Sequence, residues 1–167
     1  MNKFLTLVCS ALLACSAQAA DVSVDFVKKE QYKDIDAGGT QSQPRFEERL
    51  FKTIERSFSK NAEKLPSEYK LKISVLDIDL AGAVAHGLGM GQDIRQISDK
   101  DFPRVLFYMI LEDKSGAIVF QGRQNLKEKK LKHGDFRMKG SQSDFFMETG
   151  LINKWFDQVL VPAVAKL

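Results

Sequence analysis

The stretch Tyr69-Lys70-Leu71-Lys72-Ile73-Ser74-Val75-Leu76-Asp77-Ile78-Asp79-Leu80-Ala81 decides the fold. It reads as one long strand whose pattern changes phase. Leu71, Ile73 and Val75 are apolar at odd positions; Leu76, Ile78 and Leu80 are apolar at even ones. Successive strand residues point to opposite faces, so a regular strand cannot keep both sets on one side. A β-bulge near Val75-Leu76 would reconcile them. The alternative is a strand end buried on both faces.

On either side of this strand the chain supplies partners for it. Upstream, Asp21 to Val27 alternates, with Val22, Val24 and Phe26 on one face, and reads as a half-buried strand. Tyr32 to Gln43 is polar, contains Gly38-Gly39 and reads as loop. Pro44 suits the first position of a helix, and Phe46, Leu50, Phe51, Ile54, Phe58, Ala62 and Leu65 follow at helical spacing until Pro66. Downstream, Ala81 to Phe102 is a long connection. Pro103 to Glu112 and Ala117 to Arg123 are strands joined by the turn Asp113-Lys114-Ser115-Gly116, a hairpin. Lys127 to Gly140 forms a basic arm. Ser141 or Ser143 can cap a last helix with Phe145, Phe146, Ile152, Trp155, Phe156, Val159 and Leu160 on or near its buried face, ended by Pro162. The order β-α-β-β-β-α predicts a two-layer α+β sandwich. Its four-stranded, mostly antiparallel sheet carries both helices on one face.

The N-terminus reads as an address. Lys3 is a positive start, Phe4 to Leu13 a short apolar run, and Ala17-Gln18-Ala19 a cleavage site. This predicts a secretory signal over residues 1–19, and a single α+β domain over 20–167 in the periplasm or outside the cell. The run is too short to span a bilayer. Both cysteines, Cys9 and Cys15, leave with the signal. The mature chain then has neither disulfide nor Cys ligand, and it must rely on its core. Leu12-Leu13-Ala14-Cys15 is also a rough lipoprotein box, so a lipid anchor on Cys15 is the alternative address.

Several landmarks together resemble a bacterial secreted family known as domain of unknown function 3016. They are Val22-Ser23-Val24-Asp25-Phe26 with Tyr32-Lys33-Asp34, Leu76-Asp77-Ile78-Asp79-Leu80-Ala81-Gly82, Phe102-Pro103-Arg104, the turn at Asp113 to Gly116, and Trp155-Phe156. The resemblance covers essentially the whole mature chain. Residues 83–90 and the arm after residue 125 depart from the family pattern. The resemblance implies an exported single domain; it supplies no activity and no catalytic residue.

The chain carries few of the constellations that chemistry needs. At 167 residues it is too short for a TIM barrel or a two-domain dinucleotide enzyme. Asp77 and Asp79 are two apart on a strand, so they share a face roughly 7 Å apart. Such a pair could bind a hard cation or act as acid and base; caps, turn bonds or a pair with Arg104 are the structural uses. Gly87-Leu88-Gly89-Met90-Gly91 is not followed by a helix opening and contains no Gly-Lys-Ser/Thr, so it does not fit a nucleotide loop. The only two histidines, His86 and His133, lie in predicted loops without ligand spacing. No cofactor, metal or catalytic residue is expected. Lys127, Lys129, Lys130, Lys132, Arg137 and Lys139 crowd six positive charges against Glu128 and Asp135, in a chain whose net charge is only +3. The positive charge is therefore localised, with Leu131, Phe136 and Met138 between.

These readings predict a non-catalytic exported binding or accessory protein of the bacterial envelope. Its expected surface is the basic arm plus Leu88 and Met90 of the apolar Gly loop. Its expected partner is an anionic envelope component or a periplasmic protein, with peripheral membrane contact open and no nucleic acid. The alternatives are a small hydrolase or metal-dependent enzyme using Asp77 and Asp79, and a lipid-anchored envelope assembly factor.

Overall fold

A computed structural model describes residues 20–85, 94–97, 101–127 and 145–167. Strand β1 is Asp21–Phe26, helix α1 Gln43–Ala62 and strand β2 Lys70–Asp79. Two short strands, β3 (Ala83–Ala85) and β4 (Ile94–Gln96), precede β5 (Arg104–Glu112) and β6 (Ile118–Lys127). Helix α2 (Phe146–Trp155) continues through a π-helical turn, Phe156–Leu160, into α3 (Val161–Val164). The four long strands make one sheet in the order β1-β2-β5-β6, and β3 pairs with β4 separately.

The two-layer α+β architecture is as the sequence predicts, with one refinement of direction. β1 runs parallel to β2, while β2–β5 and β5–β6 are antiparallel, so the sheet is mixed. A parallel neighbour needs a crossover, and α1 is that crossover. The phase change in β2 is a bulge. Val75 pairs with Phe107 and Asp77 with Leu106, leaving Leu76 as the extra residue. Leu71, Ile73, Val75 and Ile78 are thereby all buried on the helix side.

The core lies between this face and the helices. Phe107 of β5 is fully buried and meets Phe58 of α1 at 5.2 Å and Trp155 of α2 at 5.0 Å, both edge-on. One inward side chain thus fixes both helices on the same face of the sheet. Burying such an aromatic contributes about 1.5–3 kcal/mol by transfer alone. The loop after β1 is more ordered than its polar composition predicts. It contains 3-10 turns at Lys29–Gln31 and Gly38–Thr40, and it buries Tyr32 and Ile35.

Three sequence expectations need correction. β6 runs on to Lys127, so Lys127 belongs to the sheet, opposite Arg104, and not to a free arm. Phe145, left-handed at φ 60°, precedes the first residue of α2, and no side-chain cap is made. Neither Ser141 nor Ser143, both outside the described residues, occupies that position. Pro162 does not end the last helix. It sits in the first turn of α3, directly after the π turn, where the wider coil relieves the clash of its ring with a preceding carbonyl. The extra residue of the π turn also rotates the faces, which is why Val159 is half exposed while Leu160 is buried.

Candidate functional site

The first candidate cluster lies on the sheet face away from the helices. After the bulge, Asp77 and Asp79 both turn to that face, opposite Leu106 and Arg104 of β5. The Arg104 guanidinium pairs with Asp77 Oδ2, and its Nε lies 3.8 Å from Asp79 Oδ2. The Lys33 backbone N–H donates to Asp77 Oδ1 at 3.0 Å. Just beside it the Tyr32 hydroxyl donates to Val75 O at 2.7 Å. Burial, aided by the Asp77 charge, pushes that hydroxyl well above the ordinary tyrosine value. The expected grouping of Asp77, Asp79 and Arg104 is therefore present. Its hydrogen bonds tie the loop after β1 to the bulge, and it lines none of the three grooves described in this protein.

A second constellation was not legible as a motif. Arg95 of β4 spreads its donors over two segments, the loop before α1 and the turn before β3. Its Nη1 and Nη2 grip the Asp34 carboxylate in a fork at 3.0 and 3.1 Å. The same nitrogens donate to the carbonyls of Asp34, Asp36 and Gly82 at 3.0, 3.2 and 2.9 Å. One side chain thus fastens the β3–β4 hairpin to the loop before α1. Gly82 permits this approach: its φ is 82°, and a Cβ there would run into the Gln96 carbonyl.

Behind Arg95, Glu148 is almost completely buried in the first turn of α2. It accepts the Ala81 N–H at 3.0 Å. Burial pushes its carboxyl up, against the opposing pull of that N–H, its own backbone N–H and the positive Arg95. A cavity of about 170 Å3 opens beside it, lined by Phe46, Leu80, Arg95, Phe145 and Phe146. The sequence signal was faint: an acid directly after the apolar run Phe145 to Met147. Arg95 gave none, because a three-residue strand is too short for a period.

The third feature is a groove of about 240 Å3 between β6 and α2. Leu126, Leu151 and Trp155 give it apolar walls, and Lys127 and Lys154 line it as well. The buried indole Nε1–H of Trp155 finds no acceptor among the described residues. Of the expected basic arm only Lys127 is seen here. Lys129, Lys130, Lys132, Arg137 and Lys139, with His133, lie outside the described residues. So do Leu88 and Met90 with His86, and the expected leader with Cys15. Among the described residues no three His, Cys, Asp or Glu side chains are grouped to hold a metal ion. No helix among them is long and apolar enough to cross a membrane.

Fold and clusters together define a small two-layer α+β domain in which ion pairs fasten loops onto a mixed sheet. The chain belongs to the family described as protein of unknown function (DUF3016), whose family model matches residues 20–158. No curated relative and no solved structure matches it.

Proposed function

We propose that this chain is an exported binding or accessory protein of the cell envelope that acts without catalysis, meeting anionic lipid headgroups at the groove between β6 and α2. The observation that carries the reading is the groove of Leu126, Leu151 and Trp155 with Lys127 and Lys154 beside it. An apolar floor with cationic side chains suits a surface that offers negative headgroups and acyl chains together. The Lys-rich stretch of sequence begins at Lys127, itself a lining residue of this groove. The hydrolase or metal-enzyme alternative draws no support from Asp77 and Asp79, since Arg104 and the Lys33 N–H occupy the Asp77 carboxylate.

The test is co-sedimentation with anionic and neutral lipid vesicles over a range of salt. Each basic residue near an anionic membrane contributes about 1 kcal/mol. Replacing Lys129, Lys130 and Lys132 together with Gln should therefore weaken partition about a hundredfold at low salt, and less at high salt. Equal retention of variant and wild type would overturn the proposal.

A further inference from the structure

A wide groove of about 760 Å3 lies at the opposite edge of the sheet, between β1 and α1. Pro44, Glu47, Glu48, Phe51, Lys52 and Glu55 line its helix side, a stripe at i, i+3, i+4, i+7, i+8 and i+11 of α1. On the strand side it is lined by Val24, Asp25 and Phe26. Three consecutive strand residues line one groove only if the groove runs along the backbone edge, because their side chains alternate between faces.

That edge is open. β1 ends the sheet, and among the described residues it pairs only with β2. Val27 donates its N–H to Val75 O at 2.9 Å. The N–H and C=O of one strand residue point the same way and the direction alternates along the chain. The odd residues of β1 therefore face β2. The N–H and C=O groups of Val22, Val24 and Phe26 face outward into the groove.

Side chains and charge then specify what would pair there. Phe26 and Phe51 meet with tilted rings, centroids 4.9 Å apart, and with Val24 and Pro44 give an apolar floor. The Lys29 ammonium sits 5.3 and 4.9 Å from those two ring centres, so one of the two local cations is engaged with the floor. Asp25, Glu47, Glu48 and Glu55 outnumber Lys29 and Lys52, leaving the lining net negative. A strand added to β1 would continue the pleat. Alternate side chains would drop toward the apolar floor, and the others would lie beside exposed Asp21 and Asp25 on the open face.

We propose that β1 is a strand-addition site for an extended polypeptide of alternating basic and apolar residues, its backbone held by the outward amides of Val22, Val24 and Phe26 and its basic side chains by Asp21 and Asp25 on the open face. Backbone pairing supplies affinity in this mode and the alternating side chains supply selectivity. The aspartates also keep β1 from pairing with a second copy of itself, since like charges directly opposite one another repel.

The experiment titrates the isotope-labelled protein with a short peptide of alternating lysine and valine, and with its glutamate–valine counterpart. The lysine peptide should shift the Val22, Val24 and Phe26 amide signals and slow their hydrogen exchange; the glutamate peptide should not. Val24→Pro removes one outward N–H without touching the β2 ladder, and should weaken binding about tenfold. Should that variant misfold, Asp21→Lys with Asp25→Lys, at two exposed strand positions, tests the acidic face separately and should weaken binding by at least as much. Equal binding of both peptides would overturn the proposal. So would unchanged affinity in the charge-reversed variant, or protection of the same amides by self-association without peptide.

Discussion

Removing the Arg104 guanidinium should cost far more than its surface location implies, and the cost should fall on Asp77. The Asp77 side chain is 12% exposed and Arg104 21%, whereas Asp79 is 38% exposed and only 3.8 Å from the guanidinium. Arg104→Leu leaves the Asp77 carboxylate with the single neutral donor of Lys33. Stripping one partner from a fully buried ion pair costs about 3–5 kcal/mol, so this partly exposed pair should lose about 2–3 kcal/mol. Asp77→Asn keeps an acceptor for Lys33 and exchanges a charged bond for a neutral one, for about 1–2 kcal/mol. Asp79→Asn touches an exposed pair and should cost less than about 1 kcal/mol. A double-mutant cycle should find coupling of about 1–2 kcal/mol between positions 104 and 77, and close to none between 104 and 79. Urea unfolding followed by the fluorescence of Trp155, the only tryptophan, measures this directly. At a slope of about 1–3 kcal/mol per molar urea, Arg104→Leu should lower the midpoint by about 1 M. If Arg104→Leu costs no more than Asp79→Asn, the cluster is not holding the fold, and the two carboxylates return as candidates for chemistry.

Two further outcomes follow from the buried acid and the bulge. Because burial raises the Glu148 carboxyl in the folded state, its contribution to stability is fully present below the ordinary value of 4.5 and is lost as pH rises through the raised folded value; Glu148→Gln should flatten that decline in a pH series of thermal melts. Glu148→Ala strands the Ala81 N–H and should cost about 1–3 kcal/mol at low pH, where the contribution of the acid is complete. Deleting Leu76 should leave a folded protein by circular dichroism, because Val75 and Asp77 already pair with consecutive residues of β5; deleting Ile78 instead breaks the downstream alternation and should unfold it.

Much of the fold was legible because it is written in periods. The helical spacing from Phe46 to Ala62 and the alternation in β1 need no tertiary information, and the phase change at Leu76 left two options, of which the bulge is the one adopted. Strand direction is not written in hydropathy, which is why the parallel β1–β2 pair could not be read. The last four residues of β6 escaped notice because this edge strand is mostly polar, with Gln124 and only partly buried Leu126 at its inward positions. The last helix departs from its expected pattern at Val159 and Pro162, because a π turn shifts the period and makes room for the proline. Asp77 and Arg104 could be paired in advance because they sit on strands expected to be neighbours. Arg95 and Glu148 could not, since the contacts that give them meaning join segments far apart in the chain.

The parallel pairing of β1 with β2 also orders the assembly of the molecule in time. The β5–β6 hairpin closes across a turn in which Asp113 accepts the N–H and hydroxyl of Ser115 and the N–H of Ala117. The first pair of β1, Asp21 with Lys70, must instead close a loop that contains all of α1. That loop is roughly eight times longer, an added closure cost of roughly 2 kcal/mol. The hairpin is thus the natural nucleus, and β1 joins last, after α1 has formed and β2 has docked on β5. Run backwards, the same sequence of events makes β1 the first segment to leave the sheet, with deuterium entering its amides before those of β2 or β5.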